Sequence, residues 1–533
     1  MIMGSRRAVF RLRCALALAL IAATATTAVA QTEVASATAL APLRAHIHRA
    51  WGDLTRSNKD VLQAAADPKL GLAPGARWPV YVSRREDREK VARELSALVG
   101  SEAWARIDLR RLPRHPLGMS EHGLLYLPHP YVVPGGRFNE MYGWDSFFIQ
   151  LGLMRDGLQD LAQGIVDNFV YEIENYGTLL NANRTYYLTR SQLPFLTRMV
   201  LMLHEAHPDK ERLRRVLPAL ERYYEYWTHK PHLAGGLGLS RYADLGRGPA
   251  PEVVHGERDD QGRSHYDRVR EFYRTHDVDA YDERLFYDAG HDRLTDLFYE
   301  SDRAMRESGF DPSDRFGPFG VGVLDYAPVC LNSLLYQMEE DMARIDEELG
   351  RPADAAAFHA RSAQRRTAVD RYLWDEQAGL YFDYDFRKGH RRPYVFATTF
   401  YPLWVGLASP AQAARVRESL RLLEVPGGLL TSTNRSGRQW DAPFGWAPLQ
   451  WIAVQGLRRY GFDEDADRIA GKCVALVLKD YEEHGVVVEK YDVVQRQSDV
   501  KAGLHFGYRS NEVGFGWTNG VVLDFMDARG GPP

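Results

Sequence analysis

LNSLLYQMEEDMARIDEELGRP, residues 331–352, decides the architecture. Leu331, Leu334, Leu335, Met338, Met342, Ile345 and Leu349 recur at helical spacing and form one apolar stripe. Gly350 closes that helix, and Pro352 stands where the first turn of a following helix accepts it. The following helix runs to about Trp374. Two helices joined by so short a turn lie antiparallel. The pattern repeats on both sides. Upstream, Leu213, Val216, Leu217, Leu220, Tyr223, Tyr224 and Trp227 make a second stripe, preceded by a partner helix over 196–203 that stops at His207-Pro208. Downstream, helix 447–460 is stopped by Gly461, and Asp463 is placed to cap a helix carrying Ala466, Ile469, Cys473 and Leu476. About twelve to fourteen such helices in hairpins, with few strands and the clearest of those over 485–491, predict an all-α chain whose hairpins close into an α/α toroid.

Between the hairpins lie segments rich in Gly, Trp, Asp and Arg, at 131–148, 176–195, 236–266 and 431–446. Loops at one mouth of a barrel are where function concentrates. The stretch 235–296, dense in charge and Tyr, is too long for a bare connection and is expected to be an elaborated loop over that mouth.

Composition bounds the function. With 45% hydrophobic and 26% charged residues, the chain of 533 residues has material for a large core, which excludes disordered and fibrous classes. A net charge of -4 offers no basic surface for nucleic acid. The 11 Trp and 28 Tyr exceed what a core needs, and sugar clefts use such rings because pyranose faces stack on them. At the N-terminus, Arg6, Arg7, Arg11 and Arg13 precede the apolar run 14–23, and Ala28-Val29-Ala30 forms a small-x-small site. This predicts a signal peptide over 1–30, cleaved after Ala30, and a periplasmic or secreted protein. The apolar run is too short to span a membrane. Residues 31–42 are expected to be a flexible lead-in, and 43–533 a single domain. Cleavage would leave Cys330 and Cys473, each on an apolar helical face, as buried structural thiols.

Pro134-Gly135-Gly136-Arg137-Phe138-Asn139-Glu140 leads to Tyr142-Gly143-Trp144-Asp145, and Gln439-Trp440-Asp441-Ala442-Pro443 leads to Gly445-Trp446-Ala447-Pro448. Trp-Asp pairs set a stacking face beside a hydroxyl acceptor. These segments resemble the two signature motifs of the trehalases, glycoside hydrolases that cleave α,α-trehalose to two glucoses. Further segments agree in order: Asn181, Tyr186 to Gln192, Arg306-Glu307-Ser308-Gly309-Phe310-Asp311, Val488-Glu489-Lys490-Tyr491-Asp492, and Gly514 to Asn519. The resemblance covers roughly residues 80–527.

It implies an (α/α)6 barrel and an inverting hydrolysis in which Asp311 is the general acid and Glu489 the general base. The acid must keep its proton at working pH, which calls for burial or a neighbouring negative charge. The base must stay ionised, with about 6.5 to 9.5 Å between the carboxyl groups to admit water. The resemblance assigns Arg137, Phe138, Trp144, Asp145, Asn181, Arg190, Gln192, Glu252, Gly309 and Trp440 to the sugar pocket. Trp517 fits the pocket or the core equally well. Taken alone, an Asp after Gly-Phe is an ordinary turn residue, and a Glu between Val488 and Lys490 an ordinary solvated strand residue.

Two departures bear on subtype. Bacterial periplasmic trehalases carry a Gly-rich run and Glu-Tyr where this chain has residues 503–512, and Pro-Arg-Pro-Glu where it has Pro249-Ala250-Pro251-Glu252. An Arg on the leaving-group side is therefore missing. With Ser301 to Glu307, these features are closer to fungal neutral trehalases, although a protein without their long N-terminal regulatory region is expected and no calcium-loop pattern occurs in the sequence. Three alternatives stand beside trehalose hydrolysis: cleavage of another small α-glucoside, a non-catalytic sugar-binding protein on the same scaffold, and a related glucosidase acting on glycans. The presence of both Asp311 and Glu489 argues against the binder, and the long loops against an open glycan cleft. No cofactor and no metal are expected, since the His residues are scattered and no HExxH spacing occurs. The expected partner is the disaccharide alone, with no nucleic acid, no membrane after cleavage of the leader, and a monomeric state.

Overall fold

The computed structural model describes residues 37–528, apart from 255, 257, 501–503, 505 and 507–509. The proposed signal peptide lies outside the described residues.

Two concentric sets of helices make the toroid. The inner set is Asp145–Arg155, Leu196–Ala206, Val329–Glu348, the short Tyr401–Trp404, Ala447–Arg459 and Gly516–Asp527. Each packs on the next, and the last returns to the first, so the ring closes. The outer set is Ala37–Leu54, Gln159–Tyr176, Lys210–Thr228, Pro352–Tyr372, Pro410–Glu418 and Asp463–His484. An inner helix is followed by a turn of a few residues and then an outer one, as at 156–158, 207–209 and 460–462. The return from outer to inner helix is long every time. Hairpins of this kind put all inner helices parallel, with every N-terminus and every long connection at the same mouth. The all-α toroid read from the stripes is the observed fold.

The stripes predict burial well. Leu331, Leu334, Leu335, Met338, Met342 and Ile345 are all buried, as are Leu213, Val216, Leu217, Leu220, Tyr223 and Trp227. The ring's interior also holds charge. Arg365 of the outer helix grips Glu339 of its inner partner, with Nη2 2.7 Å from Oε1 and Nε 3.0 Å from both oxygens, a pairing that fixes the register of the two helices. Cys330 and Cys473 are both buried and free.

Four expectations need correction. The first described helix begins at Ala37, inside the stretch read as a flexible lead-in, because Leu43, Ile47 and Trp51 provide an apolar face that the core takes up. Asp463 is the first residue of its helix rather than its cap, and Phe462 precedes it without a side-chain hydrogen bond. The strand at 485–491 shrinks to Tyr491–Asp492, paired with Phe444–Gly445, and a lone bridge from Val488 to Val513. Finally, a parallel sheet was missed: Trp78–Val82 runs between Ile107–Arg111 and Leu124–Leu125, with the helix Arg88–Ala105 as its crossover. Its Val80, Val82, Ile107 and Leu109 form a separate apolar cluster with Val91 and Leu95.

The described residues of the insert 235–296 have secondary structure of their own. The insert carries the helix His265–Thr275 and the hairpin Tyr287–Asp288 with Arg293–Leu294. Tyr266, Val269, Tyr273 and Phe286 give it an apolar cluster of its own, shared with Phe298, Phe319 and Val321.

Candidate active site

Four of the motif segments singled out in the sequence lead into inner helices and so stand at the mouth where the inner N-termini converge. The 134–144 segment runs into the helix Asp145–Arg155, 181–192 precedes Leu196–Ala206, 439–446 precedes Ala447–Arg459, and 488–515 precedes Gly516–Asp527. Helix N-termini present unpaired N–H groups and positive potential, so a ring of them suits carboxylates and sugar hydroxyls.

The walls are aromatic. Trp440 stacks on Trp446 with centroids 3.8 Å apart and planes 9° apart. Trp144 meets Trp440 at 5.8 Å, Phe310 at 5.5 Å and Trp517 at 5.5 Å. Trp517 is buried in the same aromatic cluster, and its Nε1 donates to the Glu489 carbonyl at 3.0 Å. Gly309 keeps the wall close. Its φ of +74° is left-handed, and a Cβ there would meet Leu193 and Trp144 at 3.2 Å.

Polar contacts stitch the loops together. Gln192 Oε1 accepts from Trp144 N at 3.0 Å, the Asn181 carbonyl from Gly143 N at 3.2 Å, and the Arg190 carbonyl from Asn181 N at 3.1 Å. Arg190, buried, pairs with Glu252 and lies 3.5 Å from Asp244 Oδ2, its guanidinium over the Tyr187 ring. Arg137 lies over Phe138 and pairs with Glu512 at 3.5 Å, while Phe138 meets Phe515 edge-on. Nine of the ten proposed sugar-pocket residues are thus joined in one constellation, the Arg137–Phe138 pair through Phe515 and Trp517.

The carboxyl groups differ in environment. The Asp311 side chain keeps 34% of its surface exposed, and its partial burial raises the carboxyl above its ordinary range, opposed in part by Arg306 and Arg190. Arg306 Nη1 is 3.2 Å from Asp311 Oδ2, and the Gln439 side-chain amide donates to the Asp311 carbonyl. Asp145 is buried at the start of its helix. Burial holds its carboxyl well above the ordinary range, and the charges of Glu489 and Asp311 add to the effect, so all three carboxyls share one electrostatic neighbourhood. Glu489 is buried, with Lys490 Nζ 3.0 Å from its Oε2. That ammonium compensates the carboxylate inside the protein, and it sits over the Trp446 ring. Burial would raise Glu252, but Arg190 and Arg306 hold it below its usual value.

Three residues were missed by sequence reasoning. Arg306 lies inside a quoted motif but was given no role, although it reaches Asp302, Asp311 and the field of Glu252 together. Lys490 would point away from Glu489 in a strand. Here the segment is not a strand: Glu489 N donates to the Glu512 carbonyl at 2.9 Å, and both side chains turn inward. Glu512 falls in the divergent 503–512 stretch and carried no signal of its own.

Among the described residues, Asp480, Glu483 and His484 are grouped closely enough to share a metal ion, on the outer helix Asp463–His484 and apart from the constellation above. No described helix is long and apolar enough to cross a membrane.

A toroid of parallel inner helices thus carries carboxyls, arginines and tryptophans at one mouth. The trehalase family model matches residues 53–530, and the chain belongs to the trehalase family. It is 37% identical to a probable trehalase of Eremothecium gossypii over 90% of this chain and 72% of that one. It is 39% identical to a cytosolic neutral trehalase of Neurospora crassa over 73% of this chain, spanning 57% of that relative's length. The structure of neutral trehalase Nth1 from Saccharomyces cerevisiae superposes with a TM-score of 0.75 at 32% identity, over 92% of this chain and 94% of that one. The likeness to fungal neutral trehalases read from 249–252 and 301–307 is borne out. The expectation of a periplasmic or secreted protein is overturned by the fungal relatives described as cytosolic, that of Neurospora crassa among them.

Proposed function

We propose that the protein hydrolyses α,α-trehalose to two glucoses with inversion at the attacked carbon, as a monomer and without a cofactor. Asp311 gives its proton to the glycosidic oxygen as the C–O bond breaks, and Glu489 takes a proton from the water that forms the new bond. The observation that carries this reading is the shared neighbourhood of Asp145, Asp311 and Glu489 at the inner mouth of a trehalase-family toroid. Asp311 is raised by burial, as an acid requires, whereas Glu489 is paired with Lys490, as an ionised base tolerates. Trp144, Trp440, Arg137, Phe138, Asn181, Arg190, Gln192 and Glu252 surround the two sugar rings.

Cleavage of another small α-glucoside is the second reading. It draws on Ala250, which leaves the leaving-group side without the Arg that bacterial relatives have in that motif. Glucose release from trehalose, maltose, kojibiose, sucrose and glucosylglycerol by the purified protein separates the two. Trehalose is expected to give by far the highest kcat/KM; preference for any other member of the panel favours the second reading.

A further inference from the structure

Within the insert 235–296, Tyr266 is a side chain that the proposed reaction leaves unused and that reaches toward the acid through Asp302 and Arg306. The Tyr266 hydroxyl donates to Asp302 Oδ2 at 2.9 Å and accepts from Ala250 N at 3.0 Å. Asp302 also receives two arms of Arg306, Nε at 3.1 Å and Nη2 at 3.0 Å, and the third arm, Nη1, faces Asp311 Oδ2 at 3.2 Å. Ala250 leads directly into the turn Pro251–Val254 that presents Glu252 to Arg190. One buried hydroxyl therefore joins the helix His265–Thr275, the Glu252 segment and the neighbour of the acid.

Resting on the reading of Asp311 as the acid, we propose that Tyr266 is a positioning residue for proton donation: its hydroxyl fixes the Asp302 carboxylate, and through it the stance of Arg306 toward Asp311. Arg306 is shared between two carboxylates, so whatever neutralises one changes its hold on the other. Tyr266 partly satisfies Asp302 and leaves Arg306 free to lean on Asp311. Without that donor, Asp302 draws the guanidinium more strongly, and ionised Asp311 loses support. Other groups face this chain of contacts. Asp311 also sees Arg190 and Asp145, Arg306 sees Glu252, and Asp302 sees His265. Burial and Arg306 push His265 down to about 3, so it stays neutral across the working range and does not titrate in competition.

Tyr266→Phe keeps the ring and its edge contacts with Phe298 and Tyr299 at 6.2 and 5.2 Å. It is expected to lower kcat about fivefold or more with little change in KM, and to move the alkaline limb of the pH profile up by about half a unit. Asp302→Asn removes a negative neighbour and the carboxylate that holds two arms of Arg306, so its limb is expected to move down. A merely structural Tyr266 would cost melting temperature and total activity but leave the limb in place. A Tyr266→Phe limb that superposes on the parent's overturns the proposal, whatever the Asp302 variant does. Asp311→Asn measured alongside keeps the two assignments apart, because near-parental turnover in that variant removes the acid assignment itself, and its loss of turnover with an unmoved Tyr266→Phe limb removes only the role of Tyr266.

Discussion

Asp311→Asn is expected to lower trehalose turnover on the order of 10²-fold or more while leaving the pocket's shape intact. A glucose leaving group is a poor one, and without a proton on the glycosidic oxygen it departs as an alkoxide. The pH dependence supplies a second signature. An acid works while protonated, so activity is present below its pKa and lost as pH rises through it. Burial raises the Asp311 carboxyl, which carries the active range upward, and the Asn variant is expected to lose this alkaline limb altogether. Calorimetry with trehalose checks that binding survives. Turnover near that of the parent enzyme would mean that another group donates the proton.

Glu489→Gln is expected to cost as much or more, because water attacks the anomeric carbon only when its proton has somewhere to go. Added azide, which needs no deprotonation, is expected to restore part of the turnover and yield a β-glucosyl azide. The substitution also strips Lys490 of the carboxylate 3.0 Å from its ammonium. Burial already lowers the Lys490 pKa, so the variant is expected to let that proton go rather than unfold. A melting curve within a few degrees of the parent's, together with lost turnover, separates chemistry from collapse.

The parts legible from sequence are those in which one helix decides its own pattern. The stripe from Leu331 to Ile345 needs only the 3.6-residue period to show which face is buried, and Gly350 with Pro352 marks where the chain reverses. The site is legible only through its motif resemblance. Asp311 and Glu489 are 178 residues apart in sequence, and no local rule brings them together; closure of the inner ring does. Arg306 to Asp302 is an ordinary i, i+4 pair, but its contact with Asp311 crosses the end of a helix, where periodicity stops being informative. Lys490 was hidden by a strand assignment that the run Val486-Val487-Val488 invites. That run instead crosses between loops: its carbonyls accept from Gly514 N and the Thr518 hydroxyl, and Val488 N donates to the Tyr491 hydroxyl. The parallel sheet at 78–125 was overlooked for a related reason. Trp78–Val82 is a short apolar run, and such runs do not by themselves separate strand from buried helix.

Early-time proton NMR of trehalose hydrolysis tests the proposed mechanism most directly. An acid and a base flanking one water deliver that water to the face opposite the leaving group, so the attacked ring emerges as β-glucose and the other departs as α-glucose. Equal amounts of the two anomers before mutarotation are the expected result. Only α-glucose at early times would mean retention, and would place a covalent nucleophile where Glu489 is read as a base.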